Sequence, residues 1–113
     1  MRGFNVSRIP AENRDAQGRI QALASSGWTL ALPEACITDI ATSGSNDAAV
    51  AAWVDHPDID WSDTNPDLIR AELKDCGCWD AEQLADDAEN RSRILWIMAW
   101  NVADDAESYG GGL

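Results

Sequence analysis

The sequence predicts an all-α fold, on three observations. Alanine occurs eighteen times and β-branched residues are sparse, so local propensity favours helix over sheet. Proline and glycine fall where helices would start and stop. The C-terminal part carries apolar residues around most of a helix's girth, the mark of a helix in the middle of a core. The predicted architecture is a bundle of about five short helices around a long C-terminal one, about residues 87–107. The 113 residues make one domain, expected over 1–109, with residues 110–113 a flexible glycine-rich tail.

The opening Phe4-Asn5-Val6 allows one short strand. Pro10 suits a first helical position, and Ile20, Leu23 and Ala24 follow at helical spacing until Gly27 stops the run. Trp28–Leu32 is ambiguous. Pro33 opens a second short helix through Ile37 and Ile40, ended by Gly44. Ser45 or Asn46 can cap a third, Asp47–Asp55, with Ala49, Val50, Trp53 and Val54 on its apolar face. His56-Pro57 ends it, because a residue before proline avoids the α region.

Asp58–Asn65 reads as a turn. Asn65 then caps a helix with Pro66 in its first position, and Leu68, Ile69, Leu73 and Cys76 line one side until Gly77. Asp80 with Gln83 makes a capping box, and Trp79 with Leu84 the matching hydrophobic staple. Asp86 with Glu89 repeats the box, which predicts that the helix restarts there. From Asp87 to about Glu107, Ile94, Leu95, Ile97, Met98, Ala99 and Val102 cover most of its surface.

The charge narrows the function. Eight Lys and Arg face twenty Asp and Glu, a net −12. Residues 1–32 carry +2 and residues 33–113 carry −14, with twelve acids against only Arg70 and Lys74 between Asp47 and Asp87. A module that binds DNA or RNA directly needs clustered Lys and Arg, and an anionic membrane would repel this chain. The longest strongly apolar run, Ile94–Trp100, is too short to span a bilayer. The N-terminal Met-Arg-Gly-Phe-Asn-Val-Ser-Arg lacks the apolar stretch of a secretory signal, so a cytoplasmic location is expected.

No motif assigns a reaction. Cys36, His56, Cys76 and Cys78 are the residue types of a zinc site, but Cys76-Gly-Cys78 lacks the C-x₂₋₄-C spacing of a tetrahedral chelate. Asp58-Ile-Asp60-Trp-Ser62-Asp63 begins like a calcium loop. It fails where Asp63 replaces the turn glycine and again where Ile69 replaces the bidentate glutamate. With one histidine and no nucleophile elbow, phosphate loop or dinucleotide fingerprint, no catalytic or metal-ligating residue is assigned, no cofactor is expected, and the chain reads as a non-enzyme. Of six tryptophans, Trp96 and Trp100, one turn apart on the long helix, are expected in the core, and Trp79 in the staple. Trp53, at a helix end, and Trp61, inside an acidic turn, are the two set apart for binding or for packing beneath a loop, and an exposed Trp61 would make a binding anchor.

Carboxylates at i, i+3 and i, i+4 on helices lie about 5–6 Å apart at Cβ, similar to phosphates along a strand. Fourteen net charges over residues 33–113 correspond to roughly 24 Å of duplex, about seven base pairs. An acidic helical protein of this size can therefore imitate a short duplex in a basic groove. The stretch from Glu72 to Ile97, with its Trp79-Asp-Ala-Glu-Gln-Leu84 core, is similar to small proteins of phages, plasmids and integrative elements. In overall character the chain resembles phage anti-CRISPR and anti-restriction proteins, a likeness of composition that carries over no functional residue. It implies a non-enzymatic inhibitor in a bacterial host, blocking the DNA-binding groove of a CRISPR effector or restriction enzyme. The candidate contacts are Asp55, Asp58, Asp60, Asp63, Asp67 and Asp75, with Trp61 as anchor. The alternative is a self-associating adaptor, a possible homodimer, whose acidity serves solubility and whose Arg8, Arg14 and Arg19 dock on a neighbour.

Overall fold

The computed structural model describes residues 6–42, 46–77 and 79–110, and their side chains except at 46, 47 and 107–110. Two five-residue stretches, Asp15-Ala-Gln-Gly-Arg19 and Ala24-Ser-Ser-Gly-Trp28, reverse the chain in the same way. In each, the first residue's N–H donates to the carbonyl of the fifth at 2.9 Å, and the glycine N–H donates to the first residue's carbonyl at 3.0 Å. The glycines, Gly18 and Gly27, have φ of 81° and 101°, a region that costs any residue with a Cβ. These are three-residue loops with a left-handed glycine, a common hairpin connection.

Between and after them, β1 (Ile20–Leu23) and β2 (Thr29–Leu32) pair antiparallel, with Ile20 opposite Leu32 and Leu23 opposite Thr29. Isolated bridges extend the ladder on both sides, Arg14 beside Ile20 and Asp60 beside Ala31. The chain is therefore mixed α/β, and the all-α expectation is corrected. The physical reason lies in burial. Ile20 and Ala22 are buried while Gln21 and Leu23 are exposed, a period of two that a helix cannot offer. Pro10 opens no α-helix; only 3₁₀ turns form at Val6–Arg8 and Ala11–Asn13. Val6 of the expected N-terminal strand lies in the first of these, and Phe4 and Asn5 fall outside the described residues.

The helices follow as α1 (Glu34–Thr42), α2 (Asn46–Trp53), α3 (Pro66–Asp75) and α4 (Asp87–Gly110). The Asn65 side chain accepts the Leu68 N–H at 2.9 Å, with Pro66 in the first turn. The Asp80–Gln83 box closes in both directions at 2.9 Å. It starts only a 3₁₀ turn, Gln83–Ala85, before Asp86 caps α4 through the N–H groups of Ala88 and Glu89. The stop between the two comes from Asp86, whose backbone is extended (φ −95°, ψ 105°). The expected caps of α2 and its preceding Gly44 lie outside the residues whose side chains are described.

α4 packs against α1, α2, α3, β1 and the 3₁₀ turns at Val6–Arg8 and Gln83–Ala85. Its Ile94, Leu95, Met98, Ala99, Val102, Ala103 and Ala106 join Leu30, Leu32, Ile37, Ile40, Ile69 and Leu73 in one core. The radius of gyration is 13.8 Å, close to the roughly 13 Å of a domain this size. Among the described residues no helix is long and apolar enough to cross a membrane.

Candidate functional site

Of the twelve acids from Asp55 to Glu89, ten are exposed; Asp60 and Glu72 are half-buried. They lie on the segment from the end of α2, along α3, to the first turn of α4. Glu72 accepts the Ser25 hydroxyl at 2.8 Å and its N–H at 3.1 Å, which fastens the hairpin turn to α3.

The seven candidate contacts divide into groups. Asp67 pairs with Arg70, and the same guanidinium donates to Asp87 at 2.8 Å, which joins the outer side of α3 to the start of α4. Shared hydrogen bonding to Asp67, with Asp87 adding its charge, raises the Arg70 pKa. Asp55 reaches α4 through Arg91 at 3.0 Å. The segment holding Asp58, Asp60 and Asp63 lies against the hairpin instead, the first two through backbone groups and Asp63 through its carboxylate. The Asp58 carbonyl accepts from Arg19 at 3.1 Å, the Asp60 N–H donates to Ala31, and the Asp63 carboxylate accepts the Thr29 N–H at 2.8 Å. The Asp60 carboxylate also accepts the Ser62 N–H at 2.9 Å. Hydrogen bonds from the Ser62 hydroxyl and N–H, helped by the Arg19 charge, hold the Asp60 carboxyl below its usual range. Asp75 is exposed at the end of α3 and has no ion pair among the described residues.

Trp61 is not a free anchor. Its indole is half-buried against the core, donates to the Val54 carbonyl at 3.2 Å, and is covered by the Arg91 guanidinium at 4.6 Å. The composition of the turn was legible, but the arginine that closes over it comes from thirty residues downstream. Sequence reasoning also missed Asp87 and Glu89 as neighbours of the candidate surface. The i, i+3 spacing signals the Asp67–Arg70 pair, but nothing local links Arg70 to Asp87, seventeen residues on.

Among the described residues no group of three His, Cys, Asp or Glu side chains could hold a metal ion. Cys36 is buried in α1, and burial, with the Asp39 charge, pushes its thiol pKa up to about 12. Cys76 is exposed after α3, and Cys78 lies outside the described residues. The His56 ring lies against Trp53, tilted by 41° with centroids 4.6 Å apart, and its Nδ1 accepts the Asp58 N–H at 3.1 Å, which occupies it at a helix end. The chain matches no protein-family model, no curated protein and no solved structure.

Proposed function

We propose that the protein is a non-enzymatic inhibitor. It binds a host nucleic-acid-handling defence complex, a CRISPR effector or a restriction enzyme, by placing its acidic surface in that complex's DNA-binding groove. One observation carries the reading: the exposed acids from Asp55 to Glu89 greatly outnumber the cations beside them, and those cations are mostly spent within the chain. Arg70 holds Asp67 and Asp87, Arg91 holds Asp55 and the Val54 carbonyl, and Arg93 holds Glu89. Lys74 alone among the bases of this segment is exposed with no described partner. A negative field over a body of 45 × 30 × 25 Å is on the scale of a short duplex and steers encounter with a basic groove.

The self-associating reading loses most of its cations in the same way. Arg14 is bound to Glu34 and to the carbonyls of Val6, Ile9 and Gly18, and Arg19 to Asp15. Arg8 is left to make such a contact.

The test is affinity capture from host lysate at low salt, followed by challenge of the captured complex with duplex DNA. One nucleic-acid-binding complex displaced by the duplex, and not captured by a variant with Asp55, Asp67 and Asp75 changed to Lys, supports inhibition by groove occupancy. Capture unaffected by both treatments overturns it. A concentration-dependent dimer in light scattering favours the adaptor instead.

A further inference from the structure

A groove of about 400 Å³ runs between the second half of α2 and the first turns of α4. Val50 and Ala51 form one wall, Glu89, Arg93 and Trp96 the other, and Trp79 lines it as well. The volume suits one or two large side chains. Trp96, expected in the core, is instead 36% exposed, whereas the other large apolar side chains described on α4 are buried or half-buried.

The aromatic walls are held in place. Trp96 meets Trp100 edge-on at 6.4 Å between centroids. Trp79 lies under the Arg93 guanidinium at 5.4 Å. Arg93 is itself fixed by the Gln83 carbonyl at 2.8 Å, Asn90 at 3.0 Å and Glu89 at 3.1 Å. A groove whose walls do not need ordering loses less affinity when it is filled.

Charge selects the occupant. Among the described residues Arg93 is the one cation lining the groove, and Glu89 neutralises it. Asp80 and Glu82, just after Trp79, and Asp86, just before α4, are exposed acids. Apolar and aromatic side chains therefore share the groove with a neutralised ion pair, and the chain flanking Trp79 and α4 is acidic, which disfavours both an acidic segment and a second copy of this chain at −12. A tryptophan pocket inside a polar rim is the usual form of a binding hot spot.

We propose that this groove, and not Trp61, anchors the partner. It takes a leucine-, methionine- or phenylalanine-bearing protein segment flanked by Lys or Arg. The inference rests on the acidic-surface reading and adds to it a site where apolar contact sets affinity.

The test uses the full chain and three synthetic helical peptides. One has leucine along one face and lysine elsewhere, one has alanine for the leucines, and one has glutamate for the lysines. Binding is followed by calorimetry and by the indole N–H signals of the tryptophans. The lysine–leucine peptide should bind about tenfold tighter or more than the lysine–alanine peptide. It should shift the Trp79 and Trp96 signals and leave that of buried Trp28. Trp96→Ala should erase the preference for leucine without changing the affinity of the alanine peptide. Ala51→Gln, at an exposed helical position, should do the same by filling the groove, and it leaves the packing of α4 intact.

Equal affinity for the leucine and alanine peptides overturns the groove and leaves the acidic surface standing. Tight binding of the glutamate–leucine peptide overturns the basic occupant. Failure of every lysine peptide to bind at low salt overturns the acidic-surface reading together with the groove.

Discussion

Asn90 is the buried polar side chain of the described core, 1% exposed. Its Nδ2 donates to the Leu84 carbonyl at 2.8 Å and its Oδ1 accepts from Arg93 at 3.0 Å. One amide thus ties the 3₁₀ turn to α4 and fixes the arginine that covers Trp79. Asn90→Ala leaves a buried carbonyl without its donor, so unfolding in urea should show a loss of about 1–3 kcal/mol. An unchanged midpoint would mean that the turn is held by Leu84 packing alone. Cys36 behaves oppositely, as an apolar residue. Its pKa, raised from 9.0 to about 12, means that the folded state favours the protonated thiol. Its stabilising effect is full below the unfolded pKa of 9.0 and is lost as pH rises toward 12. A variant with Cys76 and Cys78 changed to Ser should therefore resist thiol reagents at pH about 8 until denaturant is added. Labelling of the native protein at the rate of a free cysteine would contradict the buried placement.

At the scale of elements, the hairpin is secured by side chains from other elements. Glu72 of α3 holds Ser25, and Asp63 of the preceding turn holds Thr29 through its N–H and, at 3.2 Å, its hydroxyl. Two-stranded hairpins are marginal by themselves, so Glu72→Ala should speed hydrogen exchange at Ser25 with little effect on α4. Equal loss of protection throughout α4 would show instead that hairpin and helix open as one unit. The helical elements were legible because their signals are local. Asn65-Pro66 and the reciprocal Asp80–Gln83 pair act within one turn of chain; the first starts α3 as read, and the second forms its two hydrogen bonds but starts only a 3₁₀ turn. The hairpin was not legible for the converse reason. Ile20-Gln-Ala-Leu23 has helix-forming residues, and Gly27 serves a helix stop and a hairpin loop equally well. What decides is the burial of Ile20 and Ala22 beneath elements far along the chain, a tertiary effect. The repeated three-residue spacing to Gly18 and Gly27 was the sequence feature that pointed the other way. The candidate site was legible in charge and not in geometry. Most of the acids are exposed, but Asp60 is half-buried, Asp60 and Asp63 are engaged in local turn and hairpin contacts, and Trp61 is covered by Arg91.

For the whole molecule, twenty acids against eight bases give one charge distribution two opposite consequences. Within the chain, the half-buried arginines pair mostly with carboxylates that remain open to water, which limits what those pairs contribute, while the excess acids repel one another through the compact body. Screening should relieve that repulsion, so the melting temperature should rise when sodium chloride goes from about 20 to about 300 mM. A fall would mean that the Arg14, Arg19, Arg70, Arg91 and Arg93 pairs outweigh the repulsion. Association with a basic partner must show the opposite sign, weakening over the same range, because that attraction is screened as well. Asp75→Lys with Glu82→Lys separates the two effects at positions whose side chains hold no described hydrogen bond or ion pair. This double variant replaces two negative charges by two positive ones, which moves the net charge from −12 to about −8 without breaking a described contact. It should melt at the same temperature as the parent or higher, while its capture of the basic partner weakens about tenfold or more. Natural surfaces retain a destabilising charge excess where function requires it. If the double variant melts lower, these acids support the fold. If it binds the partner undiminished, the surface between α3 and α4 is not the one that meets it.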